Sequence, residues 1–365
     1  MILTGTQDSS RRETRPAYRN SEQKEATTIE DAKGKTVESA TLAGTQKSSE
    51  DSSSAHQQKA KSIEIKVPEG IFSVSFLADG KHVSSGGKEG KIRRWRVDNG
   101  QEVGTPMDAG STVRNIAVSQ DGKWIVSGAW SGQVTVWNAE SHSKVTEWKA
   151  HHDEVGAVDV SRDGTRIATG SNDGTLCVWS LPTGERLLGP LEHGNNLSGV
   201  KFSPNGRLIA TDTWKPDVRI CDSYNGSHLV EFPITTLSGL NQSLAWASDN
   251  KQLFALSHDG KIHCLDVSTG TTLARWVIHN SDSAKCISLA SNGTFIAASA
   301  NSSISFWDTA TRERIGSVIK QTHDIWSMAV STKYDFVTSG DETITLLGLC
   351  DVLSSRYLDN VRVSA

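Results

Sequence analysis

The chain has 365 residues, a formal net charge of −4 and 36% hydrophobic residues. It has no run of about 18 apolar residues, and its first residues lack the apolar core of a signal peptide, so we expect a soluble intracellular protein without a membrane partner. The near-neutral charge disfavours nucleic acid as the main partner, because phosphate attraction carries most non-specific nucleic-acid affinity. Five cysteines without a CxxC pair predict reduced thiols.

Residues 1–61 differ in composition from the rest of the chain. They contain nine Ser, eight Thr and one aromatic residue, Tyr18, and they lack Trp, Phe and Cys. Such a segment buries too little apolar surface to offset the entropy cost of ordering its backbone. We therefore expect residues 1–61 to form a disordered Ser/Thr-rich tail.

From Ser62 onward, short alternating runs of Val, Ile, Ser and Thr are separated by Asp-Gly and Asn-Gly pairs, which predicts strands joined by tight turns. The residues that end the third strand of each unit are Trp95, Trp137, Trp179, Cys221, Leu265, Trp307 and Leu347. These positions step by 42, 42, 42, 44, 42 and 40 residues, so the chain contains seven units.

A unit of about 42 residues holds four short strands, and one such sheet cannot bury both of its faces alone. Seven sheets stacked around an axis close on themselves and leave no long exposed edges. We therefore predict an all-β fold, a seven-bladed β-propeller over residues 62–347. Residues 348–365 form a C-terminal tail that either packs across the bottom of the propeller or extends freely.

The third unit resembles the WD40 repeat, from Glu154 through Asp163-Gly164 and Asp173-Gly174 to Val178-Trp179, and the resemblance covers residues 62–347. In that family, four side chains of a unit form a buried hydrogen-bonded network. The resemblance implies a structural clamp of four residues in this unit: His151, Thr169, Asp173 and Trp179. A buried indole N–H needs an acceptor, which gives such a network its physical reason.

The other units depart from this pattern. The clamp tryptophan is replaced by Cys221 in unit four, by Leu265 in unit five and by Leu347 in unit seven, whereas unit six keeps His279 and Trp307. We expect blades five and seven to be looser than the others. The resemblance also implies that the segment Ser62 to Val67 completes the last blade, because unit seven has only three strands of its own.

The resemblance places partner binding on the face built by the loops that enter the first strands and by the turns between second and third strands. Aromatic residues and Arg are the types enriched at binding hot spots. The candidate partner-binding residues on this face are Lys88, Arg114, Trp130, Trp214, His258 and Trp326. The alternative is that these indoles pack locally over neighbouring loops.

The sequence favours a non-catalytic scaffold or adaptor that binds a protein or peptide, as a monomeric propeller within a cytoplasmic or nuclear complex. We expect no catalytic residues, metal or cofactor, since no GxSxG or HExxH motif is present. A ubiquitin-ligase substrate receptor, a reader of modified lysine, a propeller enzyme and a sensing propeller that lacks its nucleotide-switch domain are the alternatives. The receptor subgroup usually has Trp-Asp-x-Arg, whereas Trp307-Asp308 is followed by Thr309-Ala310.

Overall fold

A computed structural model describes residues 62–357, except residues 216, 235–241, 279–283, 332 and 334. The predicted tail at residues 1–61, the histidine at position 279 and residues 358–365 lie outside the described residues. Within the described part, 28 strands form seven four-stranded antiparallel sheets. The predicted seven-bladed β-propeller is therefore confirmed.

Each of the first four blades is built from four consecutive strands. Blade one contains β2 (Ile71–Phe76), β3 (His82–Gly87), β4 (Lys91–Arg96) and β5 (Met107–Asp108). Blade two contains β6 (Val113–Val118), β7 (Trp124–Ala129), β8 (Gln133–Asn138) and β9 (Lys144–Lys149). Blade three contains β10 (Val155–Val160), β11 (Arg166–Ser171), β12 (Thr175–Ser180) and β13 (Arg186–Glu192). Blade four contains β14 (Leu197–Phe202), β15 (Leu208–Thr213), β16 (Val218–Asp222) and β17 (His228–Phe232).

Blades five and six follow the same order, whereas blade seven takes one strand from the start of the described chain. Blade five contains β18 (Leu244–Trp246), β19 (Gln252–Leu256), β20 (Lys261–Asp266) and β21 (Thr271–Val277). Blade six contains β22 (Ala284–Leu289), β23 (Phe295–Ala300), β24 (Ser303–Asp308) and β25 (Arg314–Lys320). Blade seven contains β26 (Ser327–Val330), β27 (Asp335–Ser339), β28 (Thr343–Gly348) and β1 (Ser62–Lys66).

Strand β1 closes the ring as the outermost strand of blade seven. It pairs antiparallel with β28, in a register from Ser62 opposite Leu347 to Lys66 opposite Thr343. Ile65 and Val67 are buried with side chains of blades one and seven. The two chain ends of the ring therefore share one sheet, as the sequence predicts.

Turn chemistry explains how the units keep their period. The turn after the first strand of blade three ends at Gly164 with φ of 70°, a left-handed conformation that glycine adopts without strain. Asn250 takes the same place in blade five with φ of 59°, which asparagine tolerates better than most residues. The loss of the glycine in unit five thus leaves the turn intact.

The core lies between the faces of neighbouring blades. A Cβ added to Gly128 in blade two would lie 2.6 Å from Cγ1 of Val155 in blade three, so this contact has no room for a larger residue. The indole of Trp246 in blade five is buried and its Nε1 donates a hydrogen bond to the carbonyl oxygen of Lys201 in blade four, 3.1 Å away. Such contacts hold adjacent blades together around the ring.

The segment after β28 forms two 3₁₀ turns, Leu349–Asp351 and Ser355–Tyr357. Leu349, Leu353 and Tyr357 are buried in one cluster with Phe295 and Ile315 of blade six. The hydroxyl of Tyr357 also donates a hydrogen bond to Asp308 Oδ2 at 2.9 Å. The described part of the C-terminal tail therefore packs against blade six.

Candidate functional site on the top face

Two exposed indoles stand on the top face, which is built by the loops entering the first strands and the turns between second and third strands. Trp130 of blade two is 56% exposed and Trp214 of blade four is 51% exposed. The backbone N–H of Trp130 donates to the carbonyl oxygen of Thr112 at 2.9 Å, and that of Trp214 donates to the carbonyl oxygen of Asn196 at 3.1 Å. Each indole is therefore carried by a turn that is bonded to the loop entering its own blade.

Arg114 and Trp326 lie at the mouth of the central channel and meet through Phe72. The rings of Trp326 and Phe72 stack with centroids 5.3 Å apart and an interplanar angle of 14°. The guanidinium carbon of Arg114 lies 4.7 Å from the centroid of Phe72, and its Nε lies 2.5 Å from Glu154 Oε1. Glu154 Oε2 also accepts a hydrogen bond from Asn172 Nδ2 at 3.1 Å. These contacts link blades seven, one, two and three.

Sequence reasoning missed Phe72, although it occupies the same position in its blade as Arg114 does in blade two. Each lies at an irregularity between the first and second strands, where the register shifts between Ile71 and Ser73 and between Val113 and Asn115. A bulge turns one side chain away from the regular alternation of a strand. The matching position in successive units was the signal that could have identified Phe72.

The same position carries small residues on the next two blades. It is Gly156 in blade three and Ser198 in blade four. A Cβ on Gly156 would lie 2.8 Å from the carbonyl oxygen of Leu197, so the backbone leaves no room for a side chain there. The channel mouth is thus lined by large side chains on blades seven, one and two and by small ones on blades three and four. We call the part at Gly156 and Ser198 the blade-three notch; Trp130 and Trp214 stand on the blades either side of blade three.

The two remaining candidates lie on other turns of the top face. Lys88 is exposed on the turn of blade one, where its carbonyl oxygen accepts a hydrogen bond from Thr112 Oγ1 at 3.3 Å. His258 is exposed on the turn of blade five. Of the six candidates, the structure thus brings Arg114 and Trp326 into one cluster and places the other four on separate turns.

The four clamp residues of blade three form one hydrogen-bonded network beneath this face. Thr169 Oγ1 accepts a hydrogen bond from Trp179 Nε1 at 2.8 Å and lies 2.7 Å from His151 Nε2. His151 Nδ1 lies 3.2 Å from Asp173 Oδ2, and Asp173 Oδ2 also accepts the backbone N–H of His152 at 2.9 Å. Burial lowers the pKa of His151, and the carboxylate of Asp173 only partly opposes this effect.

Other blades keep parts of this network. Trp95 and Trp137 donate to Ser85 and Ser127 at 2.8 and 2.9 Å. In blade four, Thr211 Oγ1 lies 3.1 Å from His193 Nε2. Blades one and two therefore retain the bond between the third and second strands. Blade four retains the bond between the second strand and the loop that enters the blade.

Blades four, six and seven lack one or more of the clamp residues, and each has a different substitute. In blade four, burial raises the pKa of the Cys221 thiol to about 12, so this side chain stays neutral in the place of the tryptophan. In blade six, Trp307 Nε1 donates to Ser305 of its own strand at 2.9 Å. In blade seven, Gln321 Oε1 accepts a hydrogen bond from Thr338 at 2.9 Å, so a glutamine stands where blade three has a histidine. The family pattern has histidine at this position, so it did not identify Gln321.

No three His, Cys, Asp or Glu side chains are placed to hold a metal ion together within the described residues. In the part of the chain that the structure covers, no helix has the length and apolar character needed to cross a membrane.

The family model described as WD domain, G-beta repeat matches the chain at residues 63–96, 100–138, 142–180 and 270–308. A comparison with curated proteins finds no match. Each matched stretch ends one residue after a tryptophan of the third strand, at Trp95, Trp137, Trp179 or Trp307. The blades that no match reaches at this position carry Cys221, Leu265 and Leu347 instead, yet they have the same four-stranded sheet. The chain is thus a seven-bladed β-propeller that carries WD40 repeats at four positions.

Proposed function

We propose that this protein is a non-catalytic WD40 scaffold or adaptor that binds a protein or peptide on the top face, across the blade-three notch. The observation that carries the proposal is the pair of half-exposed indoles, Trp130 and Trp214, on turns that are bonded to the rigid blades. We place its action in the cytoplasm or nucleus, as one propeller within a larger complex.

The contrast among the top-face aromatics supports this choice. One face of the Trp326 indole packs against the ring of Phe72. About half of the surface of Trp130 and of Trp214, in contrast, is exposed to solvent. An indole offers a large contact area with few rotatable bonds, so little conformational entropy is lost when a partner covers it. Such residues dominate the binding energy of many protein interfaces.

The mouth cluster supports a fixed position for the partner. Arg114 already contacts the ring of Phe72 and the carboxylate of Glu154, so blades one and two offer a partner fewer free groups at the channel mouth. On the other side, Gly156 and Ser198 present no large side chain that would have to be displaced. A bound segment that crosses blade three would contact an indole at each end.

Affinity purification of the full chain from a cell extract tests this proposal. The variant Trp130→Ala/Trp214→Ala should lose at least about tenfold of the specifically captured partners, because truncation of hot-spot residues typically costs 2 kcal/mol or more each. The control is Leu229→Ala, which removes an exposed apolar side chain, 53% accessible, from the outer strand of blade four. Equal capture by the double variant and the control would reject this face.

A further inference from the structure

Most of the innermost side chains of the central channel are small. Residues at equivalent positions of the seven first strands line one cavity of about 530 Å³: Ser75, Ala117, Asp159, Lys201, Ala245, Ser288 and Ala329. Five of these side chains are serine or alanine. The other two, Asp159 and Lys201, are charged and lie on neighbouring blades.

Asp159 has a structural role in the wall of this cavity. Its Oδ1 lies 3.1 Å from Lys201 Nζ, and its Oδ2 accepts the backbone N–H of Phe202 at 2.8 Å. Both carboxylate oxygens are therefore bonded to blade four. Asp159 is a positioning residue that holds the ammonium of Lys201 at the channel wall.

Lys201 retains hydrogen-bonding capacity toward the channel. Its side chain is 34% exposed although it belongs to the innermost strand. An ammonium has three N–H donors, and within the described residues one oxygen, Asp159 Oδ1, accepts from it. The remaining donors can bind a ligand in the cavity.

Arg162 adds a second cation to the same cavity. It lies in the turn that follows the first strand of blade three, and its side chain is exposed. It has no ion pair or hydrogen-bonding partner for its guanidinium among the residues that the structure describes. Lys201 and Arg162 outnumber Asp159, the single acidic residue of the described lining, so the cavity carries an excess positive charge.

We propose that this cavity binds a small organic oxyanion, a carboxylate or a phosphate ester, whose oxygens accept hydrogen bonds from Lys201 and Arg162. The neutral polar side chains Gln120, Ser248 and Ser291 line the same space and can bond hydroxyl groups of the ligand. The volume is within the range of small-molecule sites. Hydrogen bonds from charged donors are stronger than those between neutral groups. The lining includes the turns after the first strands, at the end of the channel opposite the top face, and it includes neither Trp130 nor Trp214, which carry the proposed docking surface.

Isothermal titration calorimetry of the full chain at low salt tests the site, with citrate and inorganic phosphate as separate probes. One molecule of probe should bind per chain. Arg162→Gln should weaken binding about tenfold or more, since it removes a charge-assisted hydrogen bond. Arg162 makes no bond that the described fold would lose. Lys201→Gln should also weaken binding.

The matched control is Arg207→Gln, which removes the same charge from an exposed turn of blade four outside the cavity. Binding of phosphate alone would identify a phosphate ester as the ligand class, and binding of citrate alone would identify a carboxylate. The proposal is overturned if neither probe binds at low millimolar concentration, or if Arg207→Gln weakens binding as much as Arg162→Gln. Circular dichroism of each variant confirms that it is folded.

Discussion

Trp179 and Asp173 determine the proton positions in the clamp of blade three. Trp179 Nε1–H can only donate, so Thr169 Oγ1 accepts from it. The carboxylate of Asp173 can only accept, which places the proton of a neutral His151 on Nδ1 and leaves Nε2 to accept the hydroxyl proton of Thr169. His151 then carries its proton on Nδ1, next to Thr175 Oγ1 at 2.9 Å and Asp173 Oδ2. This assignment requires a neutral imidazole, which agrees with the lowered pKa of His151.

The first prediction compares the indoles of blades three and six. Trp179→Phe removes a buried donor from a network of four side chains, and we expect it to lower the free energy of unfolding by about 1–3 kcal/mol. Trp307→Phe should cost less, because this indole is only partly buried and bonds to Ser305 of its own strand. Urea denaturation measures both values. A larger loss for Trp307→Phe would contradict this description of the clamp.

The second prediction concerns pH. Burial lowers the folded-state pKa of both His151 and His193 below the unfolded value of about 6.5. The unfolded chain then binds more protons, so the stability that these residues contribute is complete above about pH 6.5 and is lost as the pH falls toward their folded pKa. Between pH 7.5 and 5.5, the Tm should therefore fall less in His151→Gln/His193→Gln than in the unmodified chain.

The control for the pH prediction is His152→Gln, which changes an exposed histidine beside the clamp. This variant should retain the full decrease in Tm between the two pH values. If the double variant loses as much Tm as the unmodified chain, the buried imidazoles are not the source of the acid sensitivity.

The family resemblance named the four clamp residues of blade three and placed Trp130 and Trp214 on turns of the top face, with local packing of these indoles left as the alternative. It also placed Arg114 and Trp326 on this face. The sequence did not predict that Arg114 and Trp326 both contact Phe72. A β-bulge sets the direction of the Phe72 ring, and the alternation of apolar and polar residues does not reveal a bulge. The cavity charges Lys201 and Arg162 were missed for a similar reason, since only the assembled ring brings their blades together.

At the scale of elements, the C-terminal segment takes the place of a turn that other blades possess. In blade four, the turn after the third strand reaches blade three, where a Cβ on Gly226 would lie 2.8 Å from Leu191 Cδ1. Blade seven has no such turn because β1 supplies its outer strand. The segment from Leu349 to Tyr357 packs on blade six instead and covers Ile315.

The third prediction tests this packing. Leu353→Ala should lower the free energy of unfolding by about 2–5 kcal/mol, as expected for truncation of a buried leucine. Ser354→Ala changes an exposed neighbour and should have little effect. Chemical denaturation measures both variants. Equal stability of the two proteins would show that the segment does not contribute to the core.

The sequence left open whether residues 348–365 pack or extend, because this segment lies outside the repeat. The large apolar side chains of Leu349, Leu353 and Tyr357 were the available signal, since such side chains favour burial. The expectation that blades five and seven are looser than the others stays a prediction.

At the scale of the molecule, the repeat period predicted the number of blades correctly even where single units had lost their tryptophan. A blade forms because four strands pack their two apolar faces against the neighbouring blades. The clamp adds stability to a sheet that this packing already specifies. Cys221, Leu265 and Leu347 are all buried in the position of the tryptophan. The period of the turns therefore carries more information about the fold than any one residue.

Both proposed sites depend on a closed ring, because the top face and the channel are each built from several blades. The closing contact is β1, whose backbone pairs with β28 and whose Ile65 packs into the core between blades seven and one. Loss of this strand would expose the edge of β28 and one face of blade one.

The fourth prediction, and the most direct test of this description, compares the Tm of two deletions in the full chain. Deletion of residues 62–67 should lower the Tm strongly, because it removes the strand that joins the two ends of the ring. Deletion of residues 1–58 should leave the Tm close to that of the intact protein, because β1 is retained. Equal melting temperatures for the two shortened proteins would contradict closure of the propeller by β1.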